Sequence, residues 1–418
     1  MDGSVTERAP VDIYDPGVYE RGVPFEDFRR LRTEAPVYFH AEPSGTGYWA
    51  ITKHKDIIGI SRDPGSFSSY RRGSVLEDYE EGSDHLEAMR FMLVNMDPPQ
   101  HVKFRNLVKS GFTPRMVQHM EPRIRAMVTR IIDDVIERGE CEFMHDVSCK
   151  LPLEVIADMI GIPKEDRDMV IDWSDRMVAS YGPREDPEIM KLQEDGAACG
   201  MQMMAYASEL AETRAGGEAR EDLISILMNA SVDGERLTPM EFACFFMLLF
   251  VAGNETTRNA TAQGMMTLAQ HPEARQRIYE NPDLLPSAVE EILRFASPII
   301  YFRRTATRDV QLRGQTIREG DKVAMYYVSA NRDEEVFADP DRFDITRTPN
   351  DHLAFGIGQH VCLGASLARL ELRLIFEQLV ARMPDIAVAG DVRRLRSNFI
   401  NGFAHIPVRF TPGKRLAV

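Results

Sequence analysis

The segment Phe355–Gly364, with the sequence FGIGQHVCLG, is the most informative stretch of the chain. Its three glycines, at positions 356, 358 and 364, permit a tight turn of the backbone. Cys362 lies three residues before the start of ASLARLELRLIFEQLV, whose pattern predicts a helix. A cysteine at a helix N-terminus lies at the positive end of the helix dipole, which favours the thiolate over the thiol. The segment therefore predicts a cysteine with reactive or ligating character.

Several kinds of site could use such a cysteine. Gly356 and Gly358 resemble the start of a dinucleotide-binding fingerprint, but position 361 is valine where the third glycine belongs. A zinc site needs two or more ligands at short spacing, and Cys362 with His360 alone is weak support for one. A thiolate in a glycine-rich turn suits an axial ligand of haem iron, because a flat group can approach the turn closely. A buried cysteine that acts as a small apolar residue stays open as an alternative.

A second informative stretch lies in a long predicted helix. Thr238, Pro239 and Glu241 form a capping box with proline at the first helical position, and the helix can run to about residue 270. Its first half is apolar on all sides, so we expect it to cross the protein interior. The following segment, Ala252–Thr257 (AGNETT), places glycine, asparagine and a charge in that helix. Such a conflict marks a candidate functional site, although a kinked core helix is an equal alternative.

Helical patterns dominate the chain, and strand patterns cluster near its two ends. Helices are predicted at about 54–62, 99–111, 114–138, 151–160, 164–181, 188–214, 238–269, 284–296 and 364–382. Strands are predicted at about 37–40, 48–52, 301–312 and 322–328, and in the tail from 386 to 412.

Four motifs together resemble the cytochrome P-450 haem-thiolate monooxygenases. FGIGQHVCLG matches the pattern FxxGxxxCxG of that family at every fixed position, and Ala252–Thr256 matches (A/G)GxxT. Glu291–Arg294 matches ExxR, and Pro340–Phe343 matches PxRF. The motifs occur in the order of the family over residues 252–364, and the flanking segments fit as well. The resemblance implies one P-450 domain over residues 1–418, mainly α with small β-sheets, in which the long helix crosses over haem b.

The resemblance also implies roles for individual residues. Cys362 resembles the axial thiolate of the iron, which donates electron density during oxygen cleavage. Thr256 and Glu255 resemble the hydroxyl and carboxylate that position water and deliver protons during oxygen activation. Many members have aspartate where this chain has Glu255. A buried ion cluster with a structural role is expected from Glu291, Arg294 and Arg342.

Contacts to haem and substrate follow from the same resemblance. Four cationic donors are expected around the two haem propionates: His101, Arg105, Arg304 and His360. For His101 and Arg105, the alternative is a solvated pair on a helix surface. Further haem contacts are expected from Ala252, Phe355, Gly356 and Gly364. The substrate pocket is expected to be lined by Leu248, Val251, Ala252, Ile299, Ile300, Phe399 and Ile400. This lining is apolar and suits a hydrophobic substrate.

The expected reaction is hydroxylation of a hydrophobic small molecule with O2. The stretches VAGNETTRN, YFRRTATRD and SANRDEEVFADP resemble the bacterial branch that oxidises steroids, terpenoids and methyl-branched lipids. No dinucleotide-binding fingerprint or P-loop is present, so two electrons are expected from a ferredoxin that a ferredoxin reductase serves. A haem-thiolate nitric oxide reductase or gas sensor, or an aromatic-coupling relative, stays as an alternative. The Glu255–Thr256 pair favours the monooxygenase over a sensor.

Composition limits the partners and the compartment. Acidic residues outnumber basic ones by 65 to 50, and the net charge of −15 argues against general nucleic-acid binding. Five cysteines without a CxxC spacing predict free thiols in a reducing cytoplasm. The apolar run Phe242–Gly253 is shorter than a membrane span, and no signal sequence is apparent, so a cytoplasmic monomer without membrane contact is expected. Four basic residues have two equal interpretations, as a docking site for ferredoxin or as ordinary surface charges: Lys103, Lys109, Arg115 and Arg369.

Overall fold

The computed structural model describes residues 11–43, 45–179, 187–214, 223–229, 231–232 and 234–416. The helices in these ranges are α1 Pro16–Glu20, α2 Phe25–Glu34, α3 His54–Ser61, α4 Asp84–Arg90, α5 Gln100–Val108, α6 Pro114–Ile136, α7 Lys150–Ile160, α8 Arg167–Ala179, α9 Pro187–Arg214, α10 Leu223–Asn229, α11 Pro239–Gln270, α12 Pro272–Glu280, α13 Leu285–Ala296, α14 Tyr327–Ala330 and α15 Ala365–Arg382. The strands are β1 Val37–His40, β2 Tyr48–Ile51, β3 Phe67–Ser68, β4 Glu140–Glu142, β5 Ser231–Val232, β6 Glu235–Arg236, β7 Tyr301–Ala306, β8 Val310–Leu312, β9 Gln315–Ile317, β10 Lys322–Tyr326, β11 Ala387–Val388, β12 Arg393–Arg394, β13 Phe403–His405 and β14 Pro407–Arg409.

The largest sheet joins the two ends of the chain. Its strand order is β1-β2-β10-β7-β3, and β10 pairs parallel with β2 and antiparallel with β7. β10 is buried along its whole length, which matches a central strand covered on both faces. The strand patterns predicted at 37–52 and in the region 301–328 therefore meet in one sheet, whereas the strands of the tail form separate small sheets. The remaining sheets have two or three short strands each.

Helix α11 is the longest helix in the described ranges, with 32 residues. Its predicted start is confirmed: the amide of Glu241 donates to Oγ1 of Thr238 at 3.2 Å, and the amide of Thr238 donates to Oε2 of Glu241 at 2.8 Å. It packs against α7, α9, α13 and α15. None of the helices in the described part of the chain combines the length and the apolarity needed to cross a bilayer.

Two apolar cores meet along α11. The segment from Phe242 to Phe250 packs in one core with residues of α5, α7 and α9. The segment from Ala260 to Leu268 packs in the other core with residues of α6, α13 and α15. The polar segment Ala252–Thr257 lies between these two cores, so the interruption in the sequence coincides with the junction of two packed units.

Some elements differ from the pattern predictions. The helix predicted at 99–111 ends at Val108 and continues as a 3₁₀ turn over Lys109–Phe112. The strand predicted over 301–312 is two strands, β7 and β8. The helices α4, α10 and α12 were not predicted, because each has nine residues or fewer and gives a weak periodic signal. The last two residues of the helix predicted to end at 181 lie outside the described residues.

Candidate functional site

The turn before Cys362 depends on its glycines. Gly356 and Gly358 have φ angles of 66° and 76°, in the left-handed region that side chains other than glycine rarely adopt. A Cβ at Gly358 would lie only 2.6 Å from the carbonyl oxygen of Ser61. The turn is closed by the amide of Cys362, which donates to the carbonyl of Phe355 at 2.8 Å. The local sequence therefore determines where the sulfur sits, immediately before α15.

Cys362 lies in a space surrounded by protein atoms, called the recess below, and the residue is exposed there. Burial raises the pKa of its thiol, whereas the amide of Gly364 and the charges of Arg105 and Arg369 lower it. Gly364 has an ordinary φ of −84°, and no atom lies within 4 Å of a Cβ built on it. The fold itself does not require glycine at this position. Open space beside a cysteine sulfur fits the close approach of a flat ligand.

Four predicted propionate contacts converge near this recess. The rings of His101 and His360 lie 4.2 Å apart, centroid to centroid. Burial and the charges of Arg304 and Arg105 lower the pKa of His101 to about 4 and that of His360 to about 2. Both ring nitrogens of His101 are buried without a hydrogen-bond partner in the described residues.

The two guanidinium groups of this cluster face no carboxylate partner among the described residues. Arg304 is buried and donates to the carbonyl of Arg303 at 2.7 Å. Arg105 donates to the carbonyl of Val361 at 2.7 Å. Within the described ranges, neither forms an ion pair with a carboxylate. A buried cluster of unpaired cations is costly unless an anionic group binds there, so the donor set fits a ligand with two carboxylates such as haem.

One face of α11 keeps exposed surface in the middle of a helix whose flanking segments are buried. Leu248, Ala252 and Thr256, spaced by four residues, keep exposed surface, and Val251 lies beside them. Neighbouring residues on the other faces of the helix are buried. The hydroxyl of Thr256 donates to the carbonyl of Ala252 at 2.9 Å. This stripe borders a space, called the internal space below, that the described side chains leave unfilled.

Glu255 faces a different environment. Its side chain is 3% exposed, forms an ion pair with Arg258 and accepts a 3.1 Å hydrogen bond from Nδ2 of Asn259. Arg258 also donates to Oδ1 of Asp175 on α8 at 2.9 Å. Burial raises the pKa of Glu255, and Arg258 opposes that rise. The carboxyl therefore belongs to a buried ion network between α8 and α11.

The remaining predicted pocket residues divide between wall and core. Ile299 and Ile400 form an isolated antiparallel bridge, and Ile299 and Phe399 are partly buried. Ile400 is 5% exposed. Ile300 is completely buried in the core of the large sheet with Tyr301 and Tyr326, so the prediction that it lines the pocket is wrong. Successive residues of an extended segment face opposite sides, which directs Ile300 away from its neighbour.

The predicted ion cluster around Glu291 has one different member. Arg294 donates to both oxygens of Glu291 at 2.8 Å, and both side chains are fully buried. The second cation is Arg347, whose Nε lies 3.2 Å from both carboxylate oxygens. The side chain of Arg342 is 70% exposed, so its predicted place in the cluster is wrong. Arg342 contributes its backbone carbonyl, which accepts from Arg294 at 3.2 Å.

Comparison with known proteins identifies the class. The family model described as Cytochrome P450 matches residues 189–383. A steroid C26-monooxygenase of Rhodococcus jostii (strain RHA1) is 39% identical over 96% of this chain and 84% of that protein. A methyl-branched lipid omega-hydroxylase of Mycobacterium tuberculosis (strain ATCC 25618 / H37Rv) is 40% identical over 92% of this chain and 90% of that protein. The structure of a Mycobacterium marinum cytochrome P450 in complex with pseudoionone has a TM-score of 0.87 and 36% identity, covering 97% of this chain and 100% of that chain.

The fold and the site therefore define a haem-dependent monooxygenase. The chain belongs to the cytochrome P450 family and has its fold. Its cofactor is haem b, and it hydroxylates hydrophobic small molecules with O2.

Proposed function

We propose that Cys362 is the axial ligand of the haem and that the substrate is a steroid or a methyl-branched lipid. The observation that carries the ligation is the position of Cys362 at the start of α15, beside an open glycine and a cluster of unpaired cations. When bound, haem supplies oxygen activation at its iron, which protein side chains cannot provide. The protein contributes the ligand, the orientation of the cofactor and the delivery of protons.

Four side chains are proposed to hold the propionates. Arg105 and Arg304 provide fixed charges, and His101 and His360 provide ring N–H donors. An imidazole ring donates one hydrogen bond when neutral and two when protonated, so each ring can serve a propionate oxygen in either state. Porphyrin contacts are proposed for Ala252, Phe355, Gly356 and Gly364.

Thr256 and Glu255 are proposed to handle protons. The hydroxyl of Thr256 borders the internal space and can exchange its bond to the Ala252 carbonyl for a bond to water or to a reacting oxygen. Glu255 is buried, and burial raises its pKa, which favours proton uptake by the carboxyl. To reach the internal space, the carboxyl must leave Arg258.

The proposed pocket is apolar. Its proposed lining consists of Leu248, Val251 and Ala252 from α11 together with Ile299, Phe399 and Ile400, which suits a hydrocarbon skeleton rather than a polar substrate. The names of the two relatives support a steroid or a methyl-branched lipid as the substrate class, because one is a steroid monooxygenase and the other a methyl-branched lipid hydroxylase. A terpenoid is the further class that the sequence pattern favours.

We further propose that a ferredoxin, reduced by its reductase, supplies the electrons to a monomeric, cytoplasmic enzyme folded as one domain. Helix α5 contacts the residue before Cys362, because its Arg105 donates to the carbonyl of Val361. Lys103 on α5 is partly exposed, and Lys109 and Arg115, which follow α5 in the chain, are exposed. Basic side chains there suit an acidic redox protein.

The substrate class is tested by adding steroids, methyl-branched fatty acids and terpenoids to the ferric holoenzyme. Displacement of water by a bound substrate shifts the spin state and hence the absorption spectrum of the haem. Product analysis by mass spectrometry then locates the added oxygen. A shift with one class and one added oxygen atom supports the proposal, whereas no shift with any of these classes contradicts it.

A further inference from the structure

A guanidinium on the helix after the cysteine is held on two sides. Arg369 lies seven residues after Cys362 on α15. Its Nε and Nη2 donate to the two carboxylate oxygens of Glu290 on α13 at 2.6 and 2.8 Å, which is a bidentate pair. Its guanidinium carbon lies 4.5 Å from the centroid of the Phe355 ring, within the range of a cation–π interaction. Both contacts restrict the position of this charge.

Glu290 is itself fixed by His352. Nδ1 of His352 accepts from the amide of Ala354 at 3.2 Å, so the ring proton is on Nε2, which donates to Glu290 at 3.1 Å. The His352 side chain is only 2% exposed. Although burial alone would raise the pKa of Glu290, the bonds from His352 and Arg369 lower it to about 2. Glu290 therefore remains charged at any pH where the enzyme works.

The held charge is directly connected to the cysteine loop. Phe355, on which Arg369 stacks, is the first residue of the segment FGIGQHVCLG. Its carbonyl accepts the amide of Cys362 at 2.8 Å. The chain from His352 through Glu290 and Arg369 to Phe355 thus ends on the backbone that positions the sulfur.

We propose that Arg369 is a positioning residue whose fixed charge, oriented by Glu290, raises the reduction potential of the haem. The inference rests on the proposed ligation by Cys362. One-electron reduction adds a negative charge to the haem and its thiolate, and a nearby fixed cation stabilises the more negative state. Arg369 is therefore assigned to tuning electron uptake by the haem, instead of ferredoxin docking, which was one of its two predicted roles.

The test is potentiometric titration of the ferric and ferrous holoenzyme. Arg369→Gln should lower the equilibrium constant for reduction by about fivefold to tenfold, where tenfold is about 59 mV for one electron. Arg369→Lys keeps the charge and should stay closer to the native potential. Glu290→Gln should shift the potential in the opposite direction, because it removes the anion that compensates Arg369. Opposite signs for two partners of one ion pair are not expected from a purely structural role.

The matched control is Arg373→Gln. Arg373 lies one turn further along α15, is similarly exposed and pairs with Glu121 at 2.8 Å. It should leave the potential nearly unchanged, and an equal shift in Arg373→Gln and Arg369→Gln would overturn the proposal. An unchanged potential in Arg369→Gln with a raised KM for reduced ferredoxin would assign Arg369 to docking.

Loss of haem from a variant and failure of the Cys362 ligation can each be told apart from failure of the proposed role of Arg369. If Arg369→Gln does not retain haem, Glu290→Gln decides alone, and an unchanged or lowered potential there contradicts the proposal. Failure of the ligation itself is distinguishable through Cys362→Ser. Retention of the thiolate signature in the ferrous carbon monoxide complex of that variant would remove Cys362 as the ligand, independently of any result at Arg369.

Discussion

Glu255 and Thr256 are neighbours in the sequence but belong to different hydrogen-bond networks. Thr256 donates to the carbonyl of Ala252 on the open face of α11. Glu255 is paired with Arg258 and Asn259 in a buried network that reaches α8 through Asp175. The acid and the alcohol that we propose for proton delivery are therefore held apart in this structure. Their cooperation requires the carboxyl to change partners, and this makes the two residues separable by mutation.

Thr256→Ala should uncouple oxygen consumption from hydroxylation. The methyl group fits the same space but cannot hold a proton-donating water, so electrons should leave as hydrogen peroxide while haem binding persists. We expect about a tenfold loss of product per O2 consumed, measured by product and peroxide analysis. Thr267→Ala is the matched control, because Thr267 makes the same backbone hydrogen bond, at 2.7 Å to Gln263, further along α11. Full coupling in Thr256→Ala would remove Thr256 from proton delivery.

Asp175→Asn should shift the pH dependence of turnover that arises from Glu255. The charge of Asp175 contributes to the raised pKa of Glu255, so its removal should lower that pKa. If the protonated acid is the active form, the fall in coupled turnover at high pH should then begin at a lower pH. Asp172→Asn is the control, because Asp172 also lies on α8 but pairs with Arg176 instead. An unchanged pH profile in Asp175→Asn, or an equal shift in both variants, would show that this ion network does not determine the pH dependence of turnover.

The sequence predicted the elements that depend on local signals and missed those that depend on distant partners. The capping box at Thr238 determines the start of α11 through residues within one turn, and this prediction is confirmed. The pairing of β10 with β2 joins segments more than 270 residues apart, and no local pattern specifies that register. Element types were therefore more predictable than their arrangement.

Side-chain orientation was the second limit of prediction at the site. A motif such as PxRF identifies Arg342 but does not tell whether its guanidinium or its carbonyl serves the ion cluster. Arg347, which makes the side-chain contact, lies outside that motif. The same difficulty applies to Ile299 and Ile300, whose facing is determined by the bridge from Ile299 to Ile400.

Arg347→Ala and Arg342→Ala should differ strongly in stability. Loss of the Arg347 guanidinium leaves the buried carboxylate of Glu291 with one cation, and we expect a loss of about 3 kcal/mol in the free energy of unfolding. Arg342→Ala removes a mostly exposed side chain and should cost less than about 0.5 kcal/mol. Urea unfolding followed by circular dichroism measures both. Equal losses in the two variants would restore Arg342 to the cluster.

Glu371→Gln should remove a pH dependence of stability. Glu371 is buried on α15, its Oε2 has no hydrogen-bond partner within the described residues, and burial raises its pKa to about 8. A carboxyl whose pKa is raised on folding binds more protons in the native state, so its contribution to stability is complete below pH 4.5 and is lost as the pH rises toward 8. Between pH 5 and pH 8, the native enzyme should lose about 1–3 kcal/mol more of its free energy of unfolding than the glutamine variant loses. Unfolding of holoenzyme at both pH values measures this difference. Glu377→Gln is the control, because Glu377 also lies on α15 but is partly exposed and paired with Arg125 on α6. Parallel pH profiles for the native enzyme and Glu371→Gln would mean that Glu371 is ionised in the fold, with a partner that compensates its charge.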